Sequence, residues 1–338
     1  MYNWAICPVS GTPELSGGGL VHSFERIVSL GNLSAAWREF KRGKSKKRDV
    51  QHFAFSLGDN LLQLHDDLVS GSYRHGRYDS FYISDPKRRH IHKASVRDRV
   101  VHQAVFRVLY HLFDRSFIYD SYSCRFNKGT HRGVQRLKQF VQQVTVNRRA
   151  TAYALKCDIV KFFANIDHGI LLQLIRRKIN DGKLLVLLEE IIGSFETHLG
   201  KGLPLGNVTS QLFANIYLNE LDRFVKHELK ARQYIRYCDD FVILHRDAQK
   251  LANREAVVRC FTKTRLGLAL HDVVSINKVS HGIDFLGYVV LPHHTVVRTS
   301  TKWRMLRNVN RDNLASYLGI LSHAKTHRLT IETLKQIL

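Results

Sequence analysis

A chain of 338 residues with 44% hydrophobic content carries enough apolar side chain for a sizeable core, in one large unit or two to three subdomains. Its 52 Lys and Arg against 29 Asp and Glu give a formal charge of +23 and a pI of about 10, which implies a polyanionic partner, most simply nucleic acid; charge alone also fits, as the lesser reading, a ribosomal or chromatin-like binder with no chemistry. Five scattered cysteines with no CxxC pair argue against a structural zinc site and for a reducing compartment, no HExxH metalloprotease motif or cysteine-paired zinc-finger motif is present, and no apolar run is long enough for a membrane span, so a cytoplasmic protein is expected.

Residues 1–20 are rich in Gly, Pro and Ser and end in SGGGL, which predicts an irregular extension. KRGKSKKRD at 41–49 is a basic run that reads equally well as a solvated loop and as a contact to a phosphate backbone. Over 96–113 the apolar residues Val101, Val105, Val108 and Leu112 recur on one helical face, with Arg97, Arg99 and Arg107 along the helix. TAYALKCD at 151–158 is an apolar strand ending in Asp158. Residues 170–199 predict two helices broken near Asp181 and Gly182. Gly202 and Gly206 bracket a turn before a helix over 209–226, which buries Phe213, Ile216, Leu221 and Phe224 at helical spacing. Strand-like text returns at 234–244 and 283–291. With no internal repeat or low-complexity tract, helices interleaved with a few distant strands predict an α+β fold. HRDAQKLAN at 245–253 imitates a kinase catalytic loop, but its Asn falls one position late and no phosphate-binding loop precedes it.

YIRYCDDFVILH sets Asp239 and Asp240 inside an apolar run, as TAYALKCD does Asp158. An unpaired buried carboxylate is costly, so such acids stand beside a cation or at an exposed turn. A divalent metal answers the first case and an ordinary hairpin turn the second. In a regular strand neighbours point to opposite faces, so Asp239 and Asp240 cannot both face Asp158; at a hairpin tip both could approach it. In either geometry Asp239 is taken as the direct ligand and Asp240 as the nearby one.

CDIVKFFANID, with an aromatic five positions after Asp158, resembles the first palm motif of the reverse transcriptases. GLPLGNVTSQLFANIYLNELD resembles the second, YCDD the YxDD box, and GIDFLGY the hairpin that grips the primer terminus. SYSCRFNKGTHRGVQRL resembles the fingers motif that supplies an Arg to the triphosphate, and VRDRVVHQAVF the helix before it. All six occur in the family's order. Gln211 in TSQLFAN, Leu205 in LPLG, CRFNKGTHR and the near-terminal SYLGILSHA resemble, within the family, the reverse transcriptases of diversity-generating retroelements.

The resemblance implies an RNA-directed DNA polymerase with a right-hand fold: an N-terminal extension at 1–40, fingers at 41–156, a palm of antiparallel sheet and helices at 157–290 with a helical insertion near 170–200, and a short helical thumb at 291–338. No RNase H, nuclease or intron-binding domain is expected after Tyr288. Asp158, Asp239 and Asp240, with the backbone carbonyl of Ile159, would hold two Mg2+ ions that clamp the primer 3′-oxygen and the leaving pyrophosphate oxygen. Arg125 and Lys128 would neutralise the dNTP triphosphate. Lys278 in SINK would protonate the leaving pyrophosphate. Phe163 would exclude a ribose 2′-OH, with Phe162 turned into the core. Leu205 and Gly206 would stand beside the nascent base pair, and Phe285, Leu286, Gly287 and Tyr288 would grip the primer. The subgroup implies error-prone copying, at template adenines, of a template repeat RNA from a DNA or RNA primer, to diversify a target gene, and a small helical oligomeric accessory protein on the basic surface. Retron, group II-like and phage-defence enzymes are the alternatives, with a catalytically silent RNA-binding protein as the alternative of another class.

Overall fold

The computed structural model describes residues 23–84, 88–272 and 274–336, so the extension expected at 1–20 lies outside the described residues. Helices α1 (Ser23–Val28), α2 (Leu30–Phe40), α3 (Arg48–Phe55) and α4 (Leu57–Val69) precede a hairpin of β1 (Asp79–Ile83) and β2 (Arg89–Lys93). Next come α5 (Val96–Asp114), α6 (Thr130–Val144), β3 (Tyr153–Cys157), α7 (Phe162–Asn165), α8 (His168–Arg176), α9 (Gly182–Gly193) and α10 (Val208–Arg223). The remainder is β4 (Tyr234–Tyr237), β5 (Asp240–His245), α11 (Ala248–Leu266), β6 (Ser275–Lys278), β7 (Ile283–Phe285), β8 (Tyr288–Val290), β9 (Thr295–Val297), α12 (Thr299–Asn308), α13 (Leu314–Leu321) and α14 (His327–Lys335). The chain divides into two compact units: Met1–Ile118, Val160–Leu221 and Phe261–Ala269 form the first, and Tyr119–Ile159, Asp222–Cys260 and Leu270–Leu338 the second.

The first unit is built on α5. Ser95 caps it by accepting the Asp98 N–H, and Val100, Val101, Ala104, Val105, Phe106 and Leu109 are all buried. Its apolar face is therefore wider than the single stripe expected, and Val108 and Leu112 lie at its half-buried margin. Helix α2 lays Leu33, Ala36 and Trp37 into the same core, and Asn32 donates to the Ala104 carbonyl at 3.2 Å. Residues 23–40, expected to belong to the extension, are thus core helices. Asp181 caps α9 by accepting the Leu184 N–H, which makes the break between α8 and α9 a helix start.

In the second unit an antiparallel sheet runs in the order β4-β5-β3-β6, and a separate three-stranded sheet in the order β7-β8-β9. The strand-like stretches 234–244 and 283–291 each fold as an antiparallel hairpin. Strand alternation gives β3 two faces. Leu155 and Cys157 point to one; Ala154 points to the other and joins Val242, Leu244 and Ile235 in a core with α6, the second sheet and the C-terminal helices. Among the described residues no helix is long and apolar enough to cross a membrane.

Candidate active site

Tyr237 pairs with Asp240, so Cys238 and Asp239 are the two-residue loop of the β4–β5 hairpin. Cys238 takes φ +57°, a positive value at the first loop position of the kind such tight hairpins require. Asp239 therefore stands at the tip and Asp240 opens β5. The β3–β5 register ends at Cys157 opposite Phe241. One further step sets Asp158 opposite Asp240, about 5 Å apart between Cβ atoms. Continued in this way, the register sets Asp240 across from Asp158 with Asp239 beside it at the tip.

Lys156 precedes Asp158 by two residues and shares its face. Its Nζ lies 3.5 Å from Asp240 Oδ2 and donates to the Asp284 carbonyl at 2.8 Å. Asp240 Oδ1 is buried and meets no donor. Burial pushes the Asp240 carboxyl up to about 7; Lys156 pulls against the shift, while Asp158 and Asp239 add to it by like-charge repulsion. Asp158 is exposed, and its carbonyl accepts the His271 N–H at 3.0 Å. The antiparallel bridge of Ile159 to Leu270 thus engages the carbonyl of Asp158 and not that of Ile159.

Beneath the tip lies a buried charge network that the sequence reading missed. Arg236, on β4, is 0% exposed and donates through Nε and Nη2 to the two oxygens of Asp222, at 2.7 and 2.6 Å. Its Nη1 donates to the Cys238 carbonyl in the loop at 3.0 Å, and Nη2 reaches Ser121 Oγ at 3.1 Å. Tyr234 OH donates to Asp222 Oδ1 at 2.7 Å. Burial alone would lower the Arg236 pKa; Asp222 more than reverses this, so the guanidinium stays charged. Burial also raises the Cys238 thiol well above its ordinary range, which leaves it an inert packing group.

The stretch carrying Arg125 and Lys128 is attached to the same hairpin. Ser121 bridges Arg236 in parallel, and the Tyr122 N–H donates to the Arg236 carbonyl at 2.9 Å. Arg125 donates to the Ser121 carbonyl, and Lys128 donates to the Tyr119 carbonyl at 2.8 Å with its ammonium over the Tyr119 ring. In the expected grip, Phe285 and Tyr288 are buried anchors, the latter donating to the Ile320 carbonyl at 3.0 Å. The loop between them, Leu286 at φ +54° and Gly287 at φ +87°, has the signs of a type I′ turn; both residues are half-buried and Leu286 packs against the core. Lys278 is a correction. It is exposed and pairs with Tyr153, five residues before Asp158 on the neighbouring strand, about 17 Å away at about 3.3 Å per residue. A lysine there cannot protonate a group held at Asp158.

Phe163, Leu205 and Gly206 belong to the first unit. Phe162 is buried at 2% while Phe163 is half-buried. Leu205 and Gly206 form the turn before α10, where the Leu205 carbonyl accepts the His92 N–H of β2 at 3.0 Å. Gly206 has φ +121°, a conformation that residues with a Cβ rarely adopt, and a Cβ there would also crowd Ile91 Cγ2 at 3.1 Å, so the turn favours glycine.

Oxygen donors from Asp158, Asp239, Asp240 and the Ile159 carbonyl suit a hard divalent cation, and the unpartnered Asp240 Oδ1 is a ready ligand. Among the described residues no three His, Cys, Asp or Glu side chains are gathered closely enough to hold an ion alone. An ion here would complete its coordination with water and substrate phosphate, the usual habit of Mg2+.

Residues 84–290 match the family described as reverse transcriptase (RNA-dependent DNA polymerase). The chain is similar to Protein YkfC of Escherichia coli, 26% identical over 298 residues that make up 75% of each chain. It is also similar to the group II intron-encoded protein LtrA of Lactococcus lactis, 25% identical over 58% of this chain but only 34% of that protein. Among solved structures, telomerase from Candida albicans has a TM-score of 0.51 at 11% identity, covering 81% of this chain and 58% of that one, and apo telomerase from Candida tropicalis has 0.52 at 11%, covering 78% and 57%. At that identity the likeness establishes the fold, the right-hand polymerase arrangement, and no more. With the family matched over the span that holds the three acids, the motif turn before α10 and the grip hairpin, the chain belongs to the reverse transcriptases, the RNA-dependent DNA polymerases.

Proposed function

We propose that this chain is the reverse transcriptase of a diversity-generating retroelement, a cytoplasmic enzyme that copies a template repeat RNA into DNA with frequent errors at template adenines. An RNA template and nucleotide substrates come with the family, as does a need for divalent metal ions. The observation that supports the chemistry is Asp158 directly after β3, where the β3–β5 register leads on to Asp240, with Asp239 at the adjoining tip and both acids close enough to act on the Asp240 carboxyl. Mg2+ is the ion these oxygen donors favour; when bound it offsets charge on the triphosphate and on the departing pyrophosphate. In this reading Arg125 and Lys128 meet the triphosphate, a role suited to a planar guanidinium. Phe163 fills the space of a 2′-OH, Leu286 and Gly287 present the primer terminus, and Phe285 and Tyr288 anchor them. Fingers, palm and thumb are assigned to 41–156, 157–290 and 291–338.

Three features support the subgroup. Leu205 replaces a polar residue beside the nascent pair, where apolar contact discriminates weakly between partners of similar shape. Gln211 follows in the same motif. His131 of KGTHR and His323 of ILSHA, from two stretches that carry the subgroup resemblance, are in ring contact, tilted, with centroids 3.7 Å apart. The accessory protein implied by the subgroup would use the exposed basic run at 41–48. A group II-like enzyme is the second reading, favoured by the similarity to LtrA. The test is extension of a primer on an RNA template, with Mg2+ or EDTA, followed by sequencing of the cDNA. Mg2+-dependent product with errors concentrated at adenines is expected. Faithful product would leave the group II-like reading, and no product under any condition would leave a silent RNA binder.

A further inference from the structure

We propose that Lys156 is a positioning residue that fixes the primer-grip hairpin relative to the catalytic carboxylates, an inference that rests on the polymerase reading above. The carboxylates stand on one sheet and the grip hairpin on another. What joins the two sheets is mostly apolar: Ala154 and Val242 on one side, Phe285 and Tyr288 on the other, in one buried cluster. Such packing resists separation but has little directional preference, so it sets distance better than register.

At the end of this interface where Asp240 lies, a single ammonium contacts both sheets. Lys156 Nζ is 3.5 Å from Asp240 Oδ2 and donates to the main-chain carbonyl of Asp284 at 2.8 Å. The base of the lysine is immobile, because β3 is a central strand in which Lys156 pairs with Val242 on one side and Ser275 on the other. The Asp284 end is held as well, because its backbone pairs with Val289 in the β7–β8 ladder. The next residues along the chain are Phe285 and the loop of Leu286 and Gly287. The ammonium therefore sets where the loop stands with respect to Asp240, and it leaves Asp240 Oδ1 without a donor on the other side of the carboxylate. A positional error of about 1 Å at a reacting centre costs on the order of 100-fold in rate. One directed contact that removes such an error is the device inferred here.

The test uses Lys156→Met, which keeps most of the stem, and Lys156→Arg, which keeps the charge. A DNA primer with 2-aminopurine at its 3′ end, annealed to an RNA template, reports placement of the terminus by fluorescence in EDTA, with no metal and no turnover. Single-turnover incorporation with Mg2+ reports the rate. For Lys156→Met the expected results are a melting temperature within a few degrees of the parent and a primer–template Kd within about threefold, but a 2-aminopurine signal moved toward that of the free duplex. Its kcat should fall by about 100-fold with little change in the nucleotide KM, and Lys156→Arg should recover at least about tenfold of that loss. A Lys156→Met protein with the parent's 2-aminopurine signal and kcat would overturn the proposal. So would a loss of rate matched by an equal loss of primer–template affinity, which a general structural role predicts. If Lys156→Met does not fold, Lys156→Gln, which keeps a donor for the Asp284 carbonyl and drops the charge, takes the same test. A parent protein that extends nothing would defeat the polymerase reading, while the fluorescence comparison would still decide the role of Lys156.

Discussion

Replacing Asp222 by alanine should be among the most damaging single changes in the second unit. The carboxylate and the Arg236 guanidinium are both 0% exposed and share two hydrogen bonds, so the change strands a positive charge in the interior. Breaking a buried pair by removing one partner costs roughly 3–5 kcal/mol. The Tyr234 hydroxyl loses its acceptor at the same time, a further cost of about 1–3 kcal/mol. Because the three groups share one site these costs do not simply add, and a total of about 4–6 kcal/mol is expected. The double variant Asp222→Ala with Arg236→Met removes the stranded charge and should recover about 2 kcal/mol or more of the loss. Urea unfolding followed by circular dichroism measures all three proteins. A cost under about 1 kcal/mol for the single change, or a double variant no more stable than the single, would refute the reasoning. The double variant also lacks the bond from Arg236 to the Cys238 carbonyl, so it should extend primers more slowly than its stability alone would suggest.

The Asp240 carboxyl, pushed up to about 7 by burial and then by its acidic neighbours, predicts a specific pH dependence. Its folded pKa lies above the unfolded value, so its contribution is fully present below about pH 4 and is lost as pH rises toward 7; in EDTA, Asp240→Asn should flatten this part of the profile, and equal urea-midpoint differences between pH 5 and pH 8 in the two proteins would count against it. Phe163→Ala should admit ribonucleotides in single-nucleotide extension with ATP and dATP, whereas loss of discrimination only in Phe162→Ala would move the gate one residue. Leu205→Gln should lower misincorporation opposite adenine more than opposite other bases in sequenced cDNA; equal errors would remove the physical support for the mutagenic reading.

Much of the site could be read from the chain because carboxylates in apolar strands are costly and therefore conspicuous, as Asp158, Asp239 and Asp240 are. The hairpin at Cys238 and Asp239 was harder. YCDD lacks the Asn-Gly signature, so a turn at the two acids is only one of two readings, and the Arg236 side chain that donates to the Cys238 carbonyl is itself held by Asp222, a partner fourteen residues away. Arg236 and Asp222 are fourteen residues apart and look like ordinary surface charges until the fold buries them together. Lys156 was passed over because a lysine alternating with apolar residues reads as the solvent side of a strand. Lys278 was misjudged for the complementary reason: its nearness to the grip motif in sequence says nothing about β3–β6 register, which carries it to the far end of the strand. The helices of residues 23–40 were hidden by their junction with a Gly-rich stretch, although Leu33, Ala36, Trp37 and Phe40 already lie at helical spacing.

The central claim is that the acids at the β4–β5 hairpin, facing Asp158, carry nucleotide transfer templated by RNA. Single-turnover extension of a DNA primer on an RNA template by the parent and by Asp239→Ala, at equal Mg2+ and with primer–template binding measured in parallel, tests it most directly. The account predicts extension by the parent, none by Asp239→Ala, and primer–template affinities within about threefold of each other, because the change removes a cation ligand and not a phosphate contact. Undiminished extension by Asp239→Ala would contradict it.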